Sequence, residues 1–327
     1  MKLKTLFLLL SLIFSQAIFA ADFIKITIPE AKCGNGEDYS VYVKKQSDQK
    51  LLIEFMGGGA CWNYESCFTH PKTSLSPITS TGPFSTLTTN DPSNPFNEHS
   101  MLYIPYCTGD VHIGNHIAGY NGKVVYHYGN KNLELALNYL HKEKQIDLGA
   151  FSNVTIWGAS AGAIGSLIQS KKIEAFLNPN SKKTLMPDSP GLHFGSRFWD
   201  KFSAETKFDF NAGLASIGII PDFNDGFIAK KLRPALALYD KWNIGFLIAT
   251  KDAVMSTVFG DITPLEHEKL VLSSEGLPAI AREFTNVSIW LQNSAQHTFL
   301  VSSKSAQTES VDSVKAIDFA RDLAESF

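Results

Sequence analysis

Val154-Thr155-Ile156-Trp157-Gly158-Ala159-Ser160-Ala161-Gly162-Ala163 decides how this 327-residue chain is read. Its β-branched and aromatic half reads as a buried strand. The run stops at a cluster of small residues and passes into Ile164-Gly165-Ser166-Leu167-Ile168, which reads as the start of a helix. Gly158-x-Ser160-x-Gly162 is thus a G-x-S-x-G sequence at a strand-to-helix turn. So short a pattern also arises by chance in loops; its position between strand and helix gives it chemical meaning. An elbow of this kind strains the central residue, and flanking glycines let neighbouring backbone approach without a Cβ clash. The serine hydroxyl then stands clear of the sheet.

A serine hydroxyl is a poor nucleophile near neutrality and needs a base, itself oriented by a carboxylate. Where the nucleophile sits in such an elbow, the order is serine, acid, histidine, with acid and histidine each after a strand. Three histidines follow Ser160: His193, His267 and His297. His193 comes too early to follow an acid on a later strand. His267 lies in the charged run Glu266-His267-Glu268-Lys269, which reads as a solvated face. His297 alone follows a late strand, Val287-Ser288-Ile289-Trp290-Leu291. Two aspartates precede it at strand ends. Asp252, after Trp242 to Thr250, is the preferred acid, and Asp188, after Thr184-Leu185-Met186-Pro187, is the other candidate.

Upstream, Leu51-Leu52-Ile53-Glu54-Phe55-Met56 is nearly continuous in apolar residues and reads as a central strand. It ends in Gly57-Gly58-Gly59-Ala60-Cys61-Trp62-Asn63. Neither P-loop nor dinucleotide spacing follows the triple glycine. The sharper reading is an oxyanion hole, one N–H from this loop and another from the residue after the nucleophile. Residues 68–100 are rich in Ser, Thr, Pro, Asn and Gly, and read as a long loop walling a cleft. Phe23 to Ile28 and Tyr39 to Val43 read as a hairpin, and Met101 to Tyr106 and Lys123 to Tyr128 as strands. Asn130 to Lys144 has a helical apolar face. The stretch 191–239 reads as an insertion over the sheet, and Val311 to Phe327 as a covering helix. Alternating strands and helices predict an α/β chain with a mostly parallel central sheet flanked by helices.

Composition narrows the function classes. With 44% hydrophobic residues there is ample material for a large core. Twenty-nine basic against 32 acidic residues leave a formal charge of −3, which speaks against nucleic acid or an anionic membrane as partner. Met1-Lys2-Leu3-Lys4, an apolar stretch from Leu6 to Phe14, and small residues at Ser15, Ala17, Ala20 and Ala21 form a signal-peptide pattern. Its apolar run falls short of the about 20 residues of a membrane anchor. The expected organisation is a signal peptide over residues 1–20, cleaved after Ala20 or Ala21, and one domain over 21–327. The mature chain should be secreted or periplasmic, with no integral membrane segment. Four cysteines, Cys33, Cys61, Cys67 and Cys107, suit disulfides in an oxidising compartment, with three pairings open. No C-x-x-C appears, and Gly114 and Asn115 break any helix that would align His112 with His116, so no metal site is expected.

Met56 to Asn63 with Cys67, Tyr106-Cys107-Thr108-Gly109-Asp110-Val111-His112, and Gly158 to Gly162 together resemble the pectin acetylesterase / Notum family of secreted serine esterases. Asp188-Ser189 and Gln296-His297-Thr298 are similar too. The resemblance implies an α/β-hydrolase-like fold and a Ser160–His297–Asp252 triad. It also implies an oxyanion hole from Gly58, Gly59 and Ala161, and disulfides Cys33–Cys107 and Cys61–Cys67. Two positions depart from the family: Met255 stands where D-x-x-Q would end, and Ala159 precedes the nucleophile where cysteine is common. The activity implied is hydrolysis of O-acyl esters, O-acetyl foremost, on a small ester or an acetylated polysaccharide, without metal or cofactor. Deacylation of lipid-modified or other acyl esters, and an inactive secreted carbohydrate-binding protein on the same fold, are the alternatives.

Overall fold

The computed structural model describes residues 22–326; the signal peptide read over residues 1–20 lies outside them. In chain order the strands are β1 (Ile24–Lys32), β2 (Asp38–Lys44), β3 (Lys50–Phe55), β4 (Ser100–Ile104), β5 (His116–Tyr120), β6 (Lys123–His127), β7 (Asn153–Ala159), β8 (Lys182–Asp188), β9 (Trp242–Ala249) and β10 (Val287–Gln292). The helices are α1 (Gly129–Lys142), α2 (Ala161–Glu174), α3 (Ala204–Ser216), α4 (Arg233–Leu238), α5 (Pro264–Val271), α6 (Leu277–Ala281), α7 (Ser303–Ala306) and α8 (Ala316–Glu325).

Eight strands form the main sheet in the order β1-β2-β4-β3-β7-β8-β9-β10, and β5 pairs with β6 in a separate hairpin. Strand β2 runs against both neighbours, β1 and β4. All the other pairings in the main sheet are parallel. The sheet is that of an α/β-hydrolase-like fold, and its parallel strands deliver their C-terminal ends to one edge.

Side-chain alternation sorts the core into two layers. Leu51, Ile53 and Phe55 of β3 and Val154 and Ile156 of β7 pack with Leu133, Leu137 and Leu140 of α1 and Leu167 and Ile168 of α2. Leu52, Met101, Trp157 and Ala159 face the other way, in the layer holding Ala316, Ile317, Ala320 and Leu323 of α8. Burial of side chains the size of Ile317 or Leu323 contributes about 2 kcal/mol each.

The starts of two helices and the burial of one histidine differ from the sequence reading. Helix α2 begins at Ala161, because the Ser160 carbonyl already accepts from Ala163 and Ile164 N–H. Helix α8 begins at Ala316. Before it, Val311 N–H donates to Leu291 O and the Val314 carbonyl accepts from Trp290 Nε1, which spends these residues on fastening a turn to β10. Val311 and Val314 are consequently exposed. His267, expected on a solvated face, is buried instead. Thr263 and Glu266 cap α5 reciprocally, which turns His267 inward to the Thr250 carbonyl.

One residue is out of character with its layer. Glu54 is buried in the middle of β3, in register with Tyr103 of β4 and Trp157 of β7. Burial pushes its carboxyl up to about 8, a rise partly offset by the bond donated by Ser85 Oγ at 2.8 Å. Between about pH 5 and 8 the folded chain therefore keeps a proton that the unfolded chain releases, and Glu54 makes stability fall as pH rises through that window. Glu54→Gln cannot ionise. Its stability relative to wild type should rise by on the order of 3 kcal/mol between about pH 5 and 8, read by urea unfolding at both ends. A constant difference would mean that the carboxyl titrates normally.

Candidate active site

Ser160 sits between β7 and α2 with φ 57° and ψ −119°, a conformation that costs a non-glycine residue energy. Its neighbours enforce that geometry. A Cβ on Gly162 would lie 2.1 Å from the Phe55 carbonyl oxygen, so β3 and the elbow touch only because no side chain intervenes. The Ser160 N–H donates to the Asp188 carbonyl at 2.8 Å, tying the elbow to the end of β8.

Asp252 and His297 come together: His297 Nδ1 lies 2.7 Å from Asp252 Oδ2. Asp252 is itself held, its Oδ1 accepting from the N–H groups of Val254 and Met255. Met255 thus meets the acid through its backbone, whatever side chain stands there. Ser160 and His297 line one cavity, together with Gly58 and Gly59. Ala161 opens α2, and its N–H belongs to the helix's unsatisfied first turn.

The glycine loop is fastened from several sides. Gly59 has φ 79°, and a Cβ there would meet the Lys72 carbonyl at 1.9 Å. Tyr106 Oη donates to Gly59 O at 2.9 Å and accepts from Val111 N–H at 2.8 Å. His112 Nε2 lies 2.8 Å from Met56 O at the start of the loop. Disulfides join Cys33 to Cys107 and Cys61 to Cys67. The shorter staples the loop just after Gly59. The longer, spanning 74 residues, is worth about 4 kcal/mol in the chain-entropy treatment.

The other histidines serve other elements. His112 holds the glycine loop, while His116 Nδ1 lies 2.6 Å from Asp209 Oδ2; the two do not converge. His193, buried and with its basicity pushed down to about 3, bonds Gly191 O and accepts from Leu277 N–H. His267 braces the turn that leads to Asp252. Among the described residues no cluster of three His, Cys, Asp or Glu could hold a metal ion.

Asp188 does not touch the imidazole; it builds the loop that carries it. Asp188 Oδ2 accepts from Phe299 N–H at 2.7 Å and Leu300 N–H at 2.9 Å. Ser189 Oγ donates to Asp188 Oδ1 and accepts from Thr298 N–H. Burial pushes the Asp188 carboxyl up to about 6 against the opposing pull of those backbone donors. Ser160, Ser189 and Thr298 all have positive φ; Asp188 O takes the Ser160 N–H and Ser189 Oγ takes the Thr298 N–H. Sequence reading ranked Asp188 as an alternative acid and missed this clamp, although its Asp-Ser pair at a strand end was visible. Two cavities meet at Ser160. One is apolar, walled by residues such as Ile164, Leu167, Ile168, Phe194, Phe198 and Phe202. The other, more polar, holds His297 and reaches down to Glu54, Ser85 and Trp157.

The sequence model described as pectinacetylesterase matches residues 15–200. Palmitoleoyl-protein carboxylesterase NOTUM of Schmidtea mediterranea is 26% identical over 162 residues, 46% of this chain. The chain spans 30% of that curated relative's length. Two crystal forms of the Wnt deacylase Notum from Drosophila superpose with TM-scores of 0.66 and 0.67 at 16% identity. They cover 94% and 93% of both chains, respectively, and the likeness is one of fold.

Removing the Asp188 carboxylate leaves two buried N–H groups unpaired beside His297. Asp188→Ala should cost on the order of 3 kcal/mol of stability, measured by urea unfolding. Asp188→Asn, which keeps one acceptor, should cost less than half as much. Equal losses in the two variants would remove the clamp as the reason.

Proposed function

Because this chain belongs to the pectinacetylesterase family, we propose that it hydrolyses carboxylic esters through an acyl-enzyme on Ser160, with His297 as base and Asp252 as orienting acid. The observation that carries the reading is the 2.7 Å His297–Asp252 contact, with His297 lining the same cavity as the strained serine. Nδ1–H directed at Asp252 leaves Nε2 as the acceptor that a hydroxyl needs. Ser160 Oγ attacks the ester carbonyl and His297 takes its proton. The N–H groups of Gly58, Gly59 and Ala161 receive the oxyanion. His297 then returns the proton to the departing alkoxide, and water releases the acid by the same steps. Loss of one oxyanion donor would cost roughly 3–4 kcal/mol of barrier, which explains a loop held by disulfide, tyrosine and histidine together.

The acyl half belongs in the apolar cavity, where hydrocarbon loses no hydrogen bond on entry. An O-acetyl group on a small ester or a polysaccharide is the simplest occupant. The lining favours a second reading, removal of a longer acyl chain. The two disulfides suit an oxidising compartment. We take the mature chain, residues 21–327, to be one exported domain.

Hydrolysis of p-nitrophenyl acetate, butyrate and octanoate tests both parts. Wild type should cleave, and Ser160→Ala should fall by at least about a thousandfold while unfolding at the same temperature. Comparable turnover by the variant would take the serine out of the mechanism. A maximum at octanoate supports the longer chain; a maximum at acetate supports the acetyl ester.

A further inference from the structure

Helix α3 lies along the apolar cavity and gives its two faces to different surroundings. Thr206, Asp209, Phe210 and Leu214 line the cavity, whereas Phe208 is 70% exposed. Along α2 the lining runs from Ser160 and Ala161 to Ile168, about 12 Å of helix rise further on. There α2, α3 and the segment leading into β5 converge: a Cβ on Gly213 would lie 3.2 Å from Ile168 Cγ2 and 3.7 Å from Ile113. Just beyond, His116 opens β5, and Asp209 stands one turn before Gly213 on α3. His116 Nδ1 lies 2.6 Å from Asp209 Oδ2, which also accepts from Asn115 N–H at 2.7 Å. Side-chain exposures of 15% and 7% make this pair a closed partition. Both residues line the apolar cavity and also an open groove bordered by Asn115, Glu205 and Phe208.

We propose that the His116–Asp209 pair is the end wall of the apolar cavity, and that His116 sets the longest acyl chain the site accepts. The inference rests on the ester-hydrolysis reading, with the acyl half in that cavity. A hydrocarbon end offers neither donor nor acceptor. To advance past the wall it must part a buried carboxylate from its imidazole, which costs more than a few further methylenes gain. The limit is steric as well, because the hairpin and α3 meet at this contact and leave no opening between cavity and groove. On the groove side Phe208 supplies apolar surface on which a longer chain could lie. Shortening residue 116 therefore joins cavity to groove and lengthens the path open to hydrocarbon.

The p-nitrophenyl esters of butyrate, octanoate, dodecanoate and palmitate, each below its critical micelle concentration, read the limit as kcat/KM against chain length. Wild type should lose at least about tenfold between octanoate and palmitate. His116→Ala should recover about tenfold at palmitate and leave butyrate within about twofold of wild type. His116→Phe, which fills the wall without the charge pair, should keep the wild-type limit. Should the alanine variant not fold, His116→Asn, a shorter side chain that still offers Asp209 a donor, should move the limit the same way. A wild-type profile without a fall at palmitate, or a limit that the shortened variants leave in place, overturns the proposal. So does an equal shift in His116→Phe, which would trace the change to loosened packing. Binding of free octanoic, dodecanoic and palmitic acids to Ser160→Ala, with and without His116→Ala, separates the two readings; intrinsic tryptophan fluorescence follows it, since Trp62 lines the cavity. A binding limit that His116→Ala extends, without wild-type turnover, would sink the hydrolysis alone and keep the wall. Turnover without a limit would sink the wall alone, and neither binding nor turnover would sink both.

Discussion

Everything at the site depends on backbone meeting backbone at the elbow. Gly162 lies against the Phe55 carbonyl, so the turn at Ser160 is pressed onto the end of β3 with no side chain between them. That contact fixes how far Ser160 stands above the sheet and, through β3, where the glycine loop begins. The strain at Ser160 persists because the surrounding structure over-determines it. Its N–H is committed to Asp188 O, and its carbonyl to the first turn of α2.

Asp188 carries that order across the sheet. Its main chain holds the elbow and its side chain holds the backbone after His297, so one residue positions groups that come from strands three places apart. Burying a carboxylate is costly, and burial raises its pKa. Three donors make the cost tolerable, and what is gained is a fixed relation between Ser160 and the imidazole loop. Asp252, by contrast, meets the ring directly and is braced by its own turn.

Much of this was legible in the sequence, and for identifiable reasons. Strands β3, β7 and β9 announce themselves as apolar runs because parallel central strands are buried on both faces. The elbow is legible because only small residues permit such close approach. What was not legible depended on tertiary partners. A charged run looks solvated until Thr263 and Glu266 rotate its histidine inward. Val311 and Val314 fit a helical period but are claimed by β10. The role of Asp188 requires knowing that Phe299 and Leu300 return to it. Glu54 was in plain view as a charge inside an apolar strand, and its partner Ser85 comes from a distant loop.

The histidine follows β10, an edge strand of the sheet, most of whose residues are only half-buried, whereas the serine follows β7 at its centre. Edge and centre do not melt alike: local opening starts where few contacts oppose it. The protein therefore has a weak margin and a strong middle, and the proposed base belongs to the margin. Warming or mild denaturant should detach the imidazole while the elbow is still intact, leaving a folded molecule with the proposed nucleophile in place and nothing to activate it. Working temperature is then set by the seam that holds the last strand, through Trp290, Val311 and the Asp188 clamp, and not by the core that holds the serine.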